Sequence, residues 1–203
     1  MNKNKTLLFS KKLVEETTEY IFNIFNGTIE EASKKQILLF AHYHIFIEHY
    51  QSIILLIESN KDGSALALLR PFIETFYRGL WFVSSAKDDQ VEQYLNNNLD
   101  FGTVRIAKDL DKAYGTEKYF FDTKQKAWEV LSDYTHTGIF HINKRMKGNK
   151  IGAFYTEDNI LTILEVLQSN LLLFSYLLLK EFNKYEEAES IKSKLQNRHP
   201  IKK

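Results

Sequence analysis

ALALLRPFIETFYRGLWF, residues 65–82, is apolar on nearly every side, yet it carries Arg70, Glu74 and Arg78 spaced four apart. At about 100° per residue the three charges span about 80° of a helix, in one stripe that also takes in Gly63, Ala67, Tyr77 and Trp81. Leu68, Leu69, Phe72, Ile73, Phe76 and Leu80 fill the other sides. A helix apolar all round belongs at the centre of a bundle. An uncompensated charge buried there costs several kcal/mol, so the stripe must be paired internally or face a wet cleft. Glu74 can bond to either arginine, and the Glu74-to-Arg78 order is the better one along a helix. One outcome is an ion-pair ladder that fixes helix register. The other leaves one guanidinium over, with a fork of donors suited to phosphate or carboxylate. Pro71 lacks an N–H and crowds the carbonyl of Ala67, so a kink is expected near 67–71, with that carbonyl freed for another donor.

Outward from this segment the apolar spacing stays helical. A first helix is expected over about 10–26, capped by Ser10 and stopped by Gly27. A second runs over about 29–59, the third from Asp62 to about 85, and a fourth over about 88–114, ending before Gly115. A fifth covers about 119–134, and residues 135–156 are irregular or hold a short helix. The sixth opens at Thr156, where Thr-Glu-Asp-Asn reads as a capping signal, and runs to about 183. A short charged helix over 185–197 closes the chain, with 198–203 as a flexible basic tail. No segment has a strand period, and no repeat or linker divides the chain. The expectation is one all-α domain over 1–203, an HEPN-like bundle of about six or seven helices.

The composition fits. Among 203 residues, 44% are apolar, with 15 Phe and 11 Tyr, enough for a filled core. Two Pro and eight Gly suit long helices and short turns. With no Cys, a disulfide frame or thiolate metal site is excluded. The net charge of +1 gives no global pull toward nucleic acid. The N-terminus has no long apolar run and the apolar block 171–179 is too short to span a bilayer, so a cytoplasmic protein without membrane contact is expected. The faces carrying Tyr43, Phe46 and Tyr50, and the block 171–179, exceed what one bundle would bury, which argues for a homodimer.

The second informative stretch is LSDYTHTGIFHINKRMKGNK, residues 131–150. His136 sits between two threonines, just before Gly138, where a long helix should end. A helix C-terminus favours a protonated imidazole; the start of a new helix would reverse that argument. His141 reads as a surface or hydrogen-bonded histidine. Lys144, Arg145, Lys147 and Lys150 follow in a stretch, 134–156, that has no acid. They make a solvated loop or, with His141, the border of an anion site. His42 and His49 share a face of the second helix, but no metal-ligand pattern is present. Nor is there a phosphate loop, a nucleophile elbow or any other cofactor signature.

DGSALALLRPFIETFYRGLWF (62–82) and KAWEVLSDYTHTGIFHI (126–142) resemble a family of small bacterial helical proteins catalogued only as a domain of unknown function. Its members carry a pattern like GSA-ALxRPxxEAxxRGLWL and, further along, SYTHTG. That resemblance implies a helical bundle and no established activity. More remotely, the chain is similar to the HEPN superfamily, helical dimers found in toxins and antiphage systems. Many of those are metal-independent ribonucleases in which a histidine and an arginine from one motif act across a dimer cleft. His136 resembles the motif histidine, but residues 129–132 are Glu, Val, Leu and Ser, so Arg70 or Arg78 would have to take the arginine's place in space. Three functions follow as expectations. The first is a non-catalytic interaction or dimerisation module of a bacterial defence or stress system. The second is a ribonuclease using His136, Arg70 and Arg78, with Glu74 orienting an arginine and Lys144, Arg145 and Lys147 guiding RNA. The third is a binder of a small anion or nucleotide.

Overall fold

The computed structural model describes residues 2–26, 29, 31–99 and 102–198, the last four by backbone alone. Among them are nine helices: α1 (Lys3–Ile24), α2 (Lys34–Glu58), α3 (Asp62–Ser84), α4 (Asp88–Leu95), α5 (Thr103–Tyr114), α6 (Tyr119–Thr135), α7 (Ile139–Asn143), α8 (Glu157–Glu181) and α9 (Tyr185–Arg198). The all-helical expectation holds, apart from one antiparallel ladder of β1 (Met146–Lys147) and β2 (Lys150–Ile151).

Capping chemistry marks the starts of α1, α2 and α8, whereas α3, α5, α6 and α7 begin without a side-chain cap. Ser33 opens α2, its hydroxyl accepting from the Gln36 amide while the Gln36 side chain accepts from the Ser33 amide. Thr156 and Asn159 do the same for α8, as the sequence signals. Two boundaries differ from expectation. Asn2 caps α1, and Ser10 lies in mid-helix, buried, donating to the Thr6 carbonyl at 2.9 Å and accepting from the Gln168 side chain. The expected fourth helix is two, because Asn96–Asn98 follow α4 with Asn97 in the left-handed region (φ 55°) and the Asn96 amide bonded back to the Glu92 carbonyl. Asparagines compete for backbone groups and end helices in this way. The expected stop at Gly27 and the tail beyond 198 lie outside the described residues; α9 itself reaches Arg198.

The core is the α2–α3–α8 layer. Phe46 stacks on Phe72 at 4.4 Å between ring centres, and Phe174 meets Phe46 edge-on at 5.2 Å. Offset and edge-on aromatic pairs add about 0.5–1.5 kcal/mol beyond the area they bury. By length and composition α8 could cross a bilayer, unlike the shorter block 171–179 taken alone. Here it is a core helix, packed by α1, α2, α3 and α9, with Leu164, Leu167, Leu171, Leu172, Phe174, Leu178 and Leu179 fully buried. Tyr43, Phe46 and Tyr50 are buried in the same chain. The surplus-core argument for a homodimer therefore fails, because a single bundle covers those faces.

α6 lies antiparallel to α3. Tyr77 Oη donates to the Phe120 carbonyl at one end, Arg70 meets Ser132 further along, and Thr135 reaches Ala67 at the other end. α3 runs as one helix through Pro71.

Candidate functional site

α6 is positioned at both ends by side chains from other helices. At its start, the buried Asp111 of α5 accepts from the Phe120 and Phe121 amides at 2.9 and 3.0 Å and from the Thr116 hydroxyl at 2.7 Å. Burial pushes its carboxyl up, but these three donors outweigh burial and hold it below the usual carboxylate value. At its end, His136 is the C-cap residue of α6, its amide donating to the Ser132 carbonyl at 2.9 Å. The turn is therefore a helix end. Thr137 follows at φ 58°, a left-handed conformation that costs a β-branched residue about 1–2 kcal/mol. Gly138 is required next, since a β-carbon there would strike the Asp133 carboxylate, which accepts from the His141 amide at 2.8 Å.

Arg70 is the hub of the α3–α6 seam. Its Nε donates to Glu74 Oε1 at 2.9 Å, and its Nη1 lies 3.2 Å from Ser132 Oγ and 3.1 Å from His136 Nε2. The guanidinium also sits 5.5 Å from the centre of the Trp128 ring. A guanidinium only donates, so the His136 bond requires an unprotonated Nε2, with the ring proton on Nδ1. The carbonyl that Pro71 frees is met as well: Thr135 Oγ1 is 3.2 Å from Ala67 O and 2.8 Å from Leu131 O. Arg70 and Glu74 are each about three-quarters covered, whereas His136 is exposed.

Arg78 does not join this group. Glu74 turns to Arg70 rather than to Arg78, against the helical preference, because Ser132, His136 and Trp128 already draw the Arg70 end of the stripe into the seam. Arg78 Nε is buried without a hydrogen-bond partner, and no carboxylate among the described residues pairs with the group. Its charge is felt by His42 of α2, whose Nδ1 donates to the Leu38 carbonyl at 2.9 Å. Burial pushes the His42 imidazole down, the Leu38 bond opposes that, and the Arg78 guanidinium pushes it down further; the net shift is downward.

The basic loop is split. His141 Nδ1 lies 3.2 Å from the Tyr134 carbonyl, Lys144 Nζ reaches Asn159 Oδ1 at 3.3 Å, and Arg145 covers the Tyr155 ring at 5.4 Å. His141 Nε2, Arg145 Nη2 and Tyr155 Oη all stand within 2.7 Å of where a Gly63 β-carbon would be, at the start of α3. Burial raises the Tyr155 hydroxyl above its ordinary value, Arg145 opposes this and Asp62 reinforces it. Lys147 and Lys150 face each other across the exposed hairpin. Of the residues singled out from sequence, then, Arg70, Glu74 and His136 come together, Arg78 stands apart, and His141 and Arg145 form a second polar contact with α3.

Sequence reasoning passed over Lys124, Trp128 and Ser132. The signal was present: with His136 they recur every four residues, a stripe on α6 matching the Arg70–Glu74–Arg78 stripe on α3.

Fold and site together define an all-α bundle with one cation-centred polar seam between two antiparallel helices. The chain belongs to the family of unknown function DUF6988, which it matches over residues 43–200. No curated protein and no solved structure matches the chain.

Proposed function

We propose that this chain is a non-catalytic helical interaction module. The observation that carries the reading is the engagement of Arg70, three of whose five N–H donors, on Nε and Nη1, are met by Glu74, Ser132 and His136 of its own chain. A guanidinium occupied in this way joins helices. A surface suited to a partner is the α7–hairpin segment, where Ile139, Phe140, Ile142, Met146 and Ile151 are exposed large apolar residues within a short stretch. Exposed apolar clusters of this kind mark contact surfaces. The proposed partner is a second copy of the chain, and the proposed setting is a bacterial defence or stress system, as the HEPN-like resemblance suggests. Light scattering tests the reading: the protein should be a dimer that Ile151→Asp converts to monomer with an unchanged melting temperature. A monomer at all concentrations would overturn it.

A second reading is favoured by a different observation, the 3.1 Å approach of Arg70 Nη1 to the exposed imidazole of His136. In a metal-independent ribonuclease His136 would take the 2′-hydroxyl proton and Arg70 would stabilise the phosphorane. Incubation with single-stranded and structured RNA in the presence of a chelator decides it. Cleavage lost in His136→Ala, with folding retained, would establish the enzyme; intact RNA with the unaltered protein would remove it.

A further inference from the structure

Between α3, α6 and α8 lies a cavity of about 330 Å³. Its walls are mostly apolar, with Leu69, Phe76, Leu131, Val166 and Leu173 among them. One charged residue faces it: Lys124 of α6, less than a tenth exposed. Its aliphatic stem is covered along the cavity wall, while its ammonium keeps contact with solvent at the edge. Lys35, which is more exposed, pairs with Glu181 at 3.1 Å, and Arg70 pairs with Glu74 at 2.9 Å. Among the described residues no carboxylate pairs with Lys124. Its ammonium rests over the Trp128 ring at 5.2 Å, which attracts the cation without neutralising it. Asn170 of α8 adds an amide to the same wall.

An apolar cavity of a few hundred Å³ with a few convergent polar groups is the usual form of a small-molecule site. The lysine at the cavity's edge defines the ligand further. One cation calls for one negative charge, and the apolar walls call for an aliphatic body, whereas a dianionic phosphate would leave a second charge desolvated. We infer that this cavity binds a linear aliphatic monocarboxylate, with its head on Lys124 and Asn170 and its chain among the leucines and Phe76. The inference is independent of the interaction and ribonuclease readings, since it uses neither His136 nor the hairpin. Trp128, which Arg70 also contacts, stands between this cavity and the seam.

The test is calorimetric titration of the intact protein with butyrate, hexanoate and octanoate, below micelle formation, and with uncharged 1-octanol. Each pair of added methylenes should tighten binding about fifteen-fold until the cavity is filled. Octanoate should bind at least ten-fold more tightly than 1-octanol. Lys124→Met, similar in length and uncharged, should erase that preference. Ala127→Phe, which adds a ring at the cavity wall, should abolish binding of both. Absence of octanoate binding to the unaltered protein, affinity independent of chain length, or a Lys124→Met protein that keeps its preference for octanoate would each overturn the proposal. If Lys124→Met fails to fold, the ligand series on the unaltered protein decides alone.

Discussion

The two ends of the charged stripe on α3 began as equals. Arg70 and Arg78 are the same residue type, each four positions from Glu74, yet one is the best-connected side chain of the α3–α6 seam and the other has a buried donor with no partner. The difference lies in what the facing helices bring. Opposite Arg70, α6 supplies a hydroxyl, an imidazole and an indole. Near Arg78, α2 supplies His42, held neutral by burial, which cannot offset a positive charge. Spacing along one helix places charges on a stripe; the neighbouring helices decide which of them is compensated.

That contrast can be broken experimentally, most strongly at Arg70. Arg70→Ala removes the Glu74, Ser132 and His136 bonds together and leaves a part-buried carboxylate unpaired. It should cost about 3 kcal/mol and lower the melting temperature by about 6–12 °C. A shift under 2 °C, read by thermal circular dichroism, would show that the seam is not structural. Glu74→Gln keeps the shape and removes the charge, and should cost about 1 kcal/mol in urea unfolding. At the other end the sign should reverse. Arg78→Met removes an unpartnered buried donor and should raise stability by about 1 kcal/mol, or about 2–4 °C. A destabilised Arg78→Met protein would mean that Arg78 has a compensating role the contrast misses.

The smallest effect is on pH. His42 binds protons less readily in the folded chain than at its ordinary value of 6.5. Its contribution is therefore fully present above pH 6.5 and is lost as pH falls from there toward the folded value, because the unfolded chain takes up the proton first. Urea midpoints measured across that range should fall gently in the unaltered protein, fall less in Arg78→Met, and fall least in His42→Phe, where the His49 imidazole, also pushed down by burial, still contributes.

Much of this was legible in the sequence, for physical reasons. Pro71 announced a free carbonyl at Ala67, and the donor is Thr135. The Thr-flanked His136 marks a helix boundary whose sense the sequence leaves open, and it is the C-cap of α6. The Thr156 capping signal opens α8 as read. What stayed hidden depends on contacts between distant segments. Ser10 resembles a cap, but its hydroxyl serves Thr6 and Gln168 inside the bundle. Spacing along α3 leaves Glu74 open to either arginine, with helical order favouring Arg78, because it says nothing of α6. Asp111 gave no local sign that it would hold the start of another helix.

The Pro71 region also explains how α6 finds its place on α3. Ala67 and Arg70 are three residues apart on one helix; their partners Thr135 and Ser132 are three apart on the other, in reverse order. Apolar side chains alone would tolerate sliding α6 by one turn, about 5.4 Å, since a leucine meets a leucine or a phenylalanine nearly as well. These paired polar contacts do not tolerate it: a slip would strand a carbonyl and a guanidinium at the same moment. The residue that ordinarily interrupts helices thus supplies one of two reference marks by which this pair of helices is aligned.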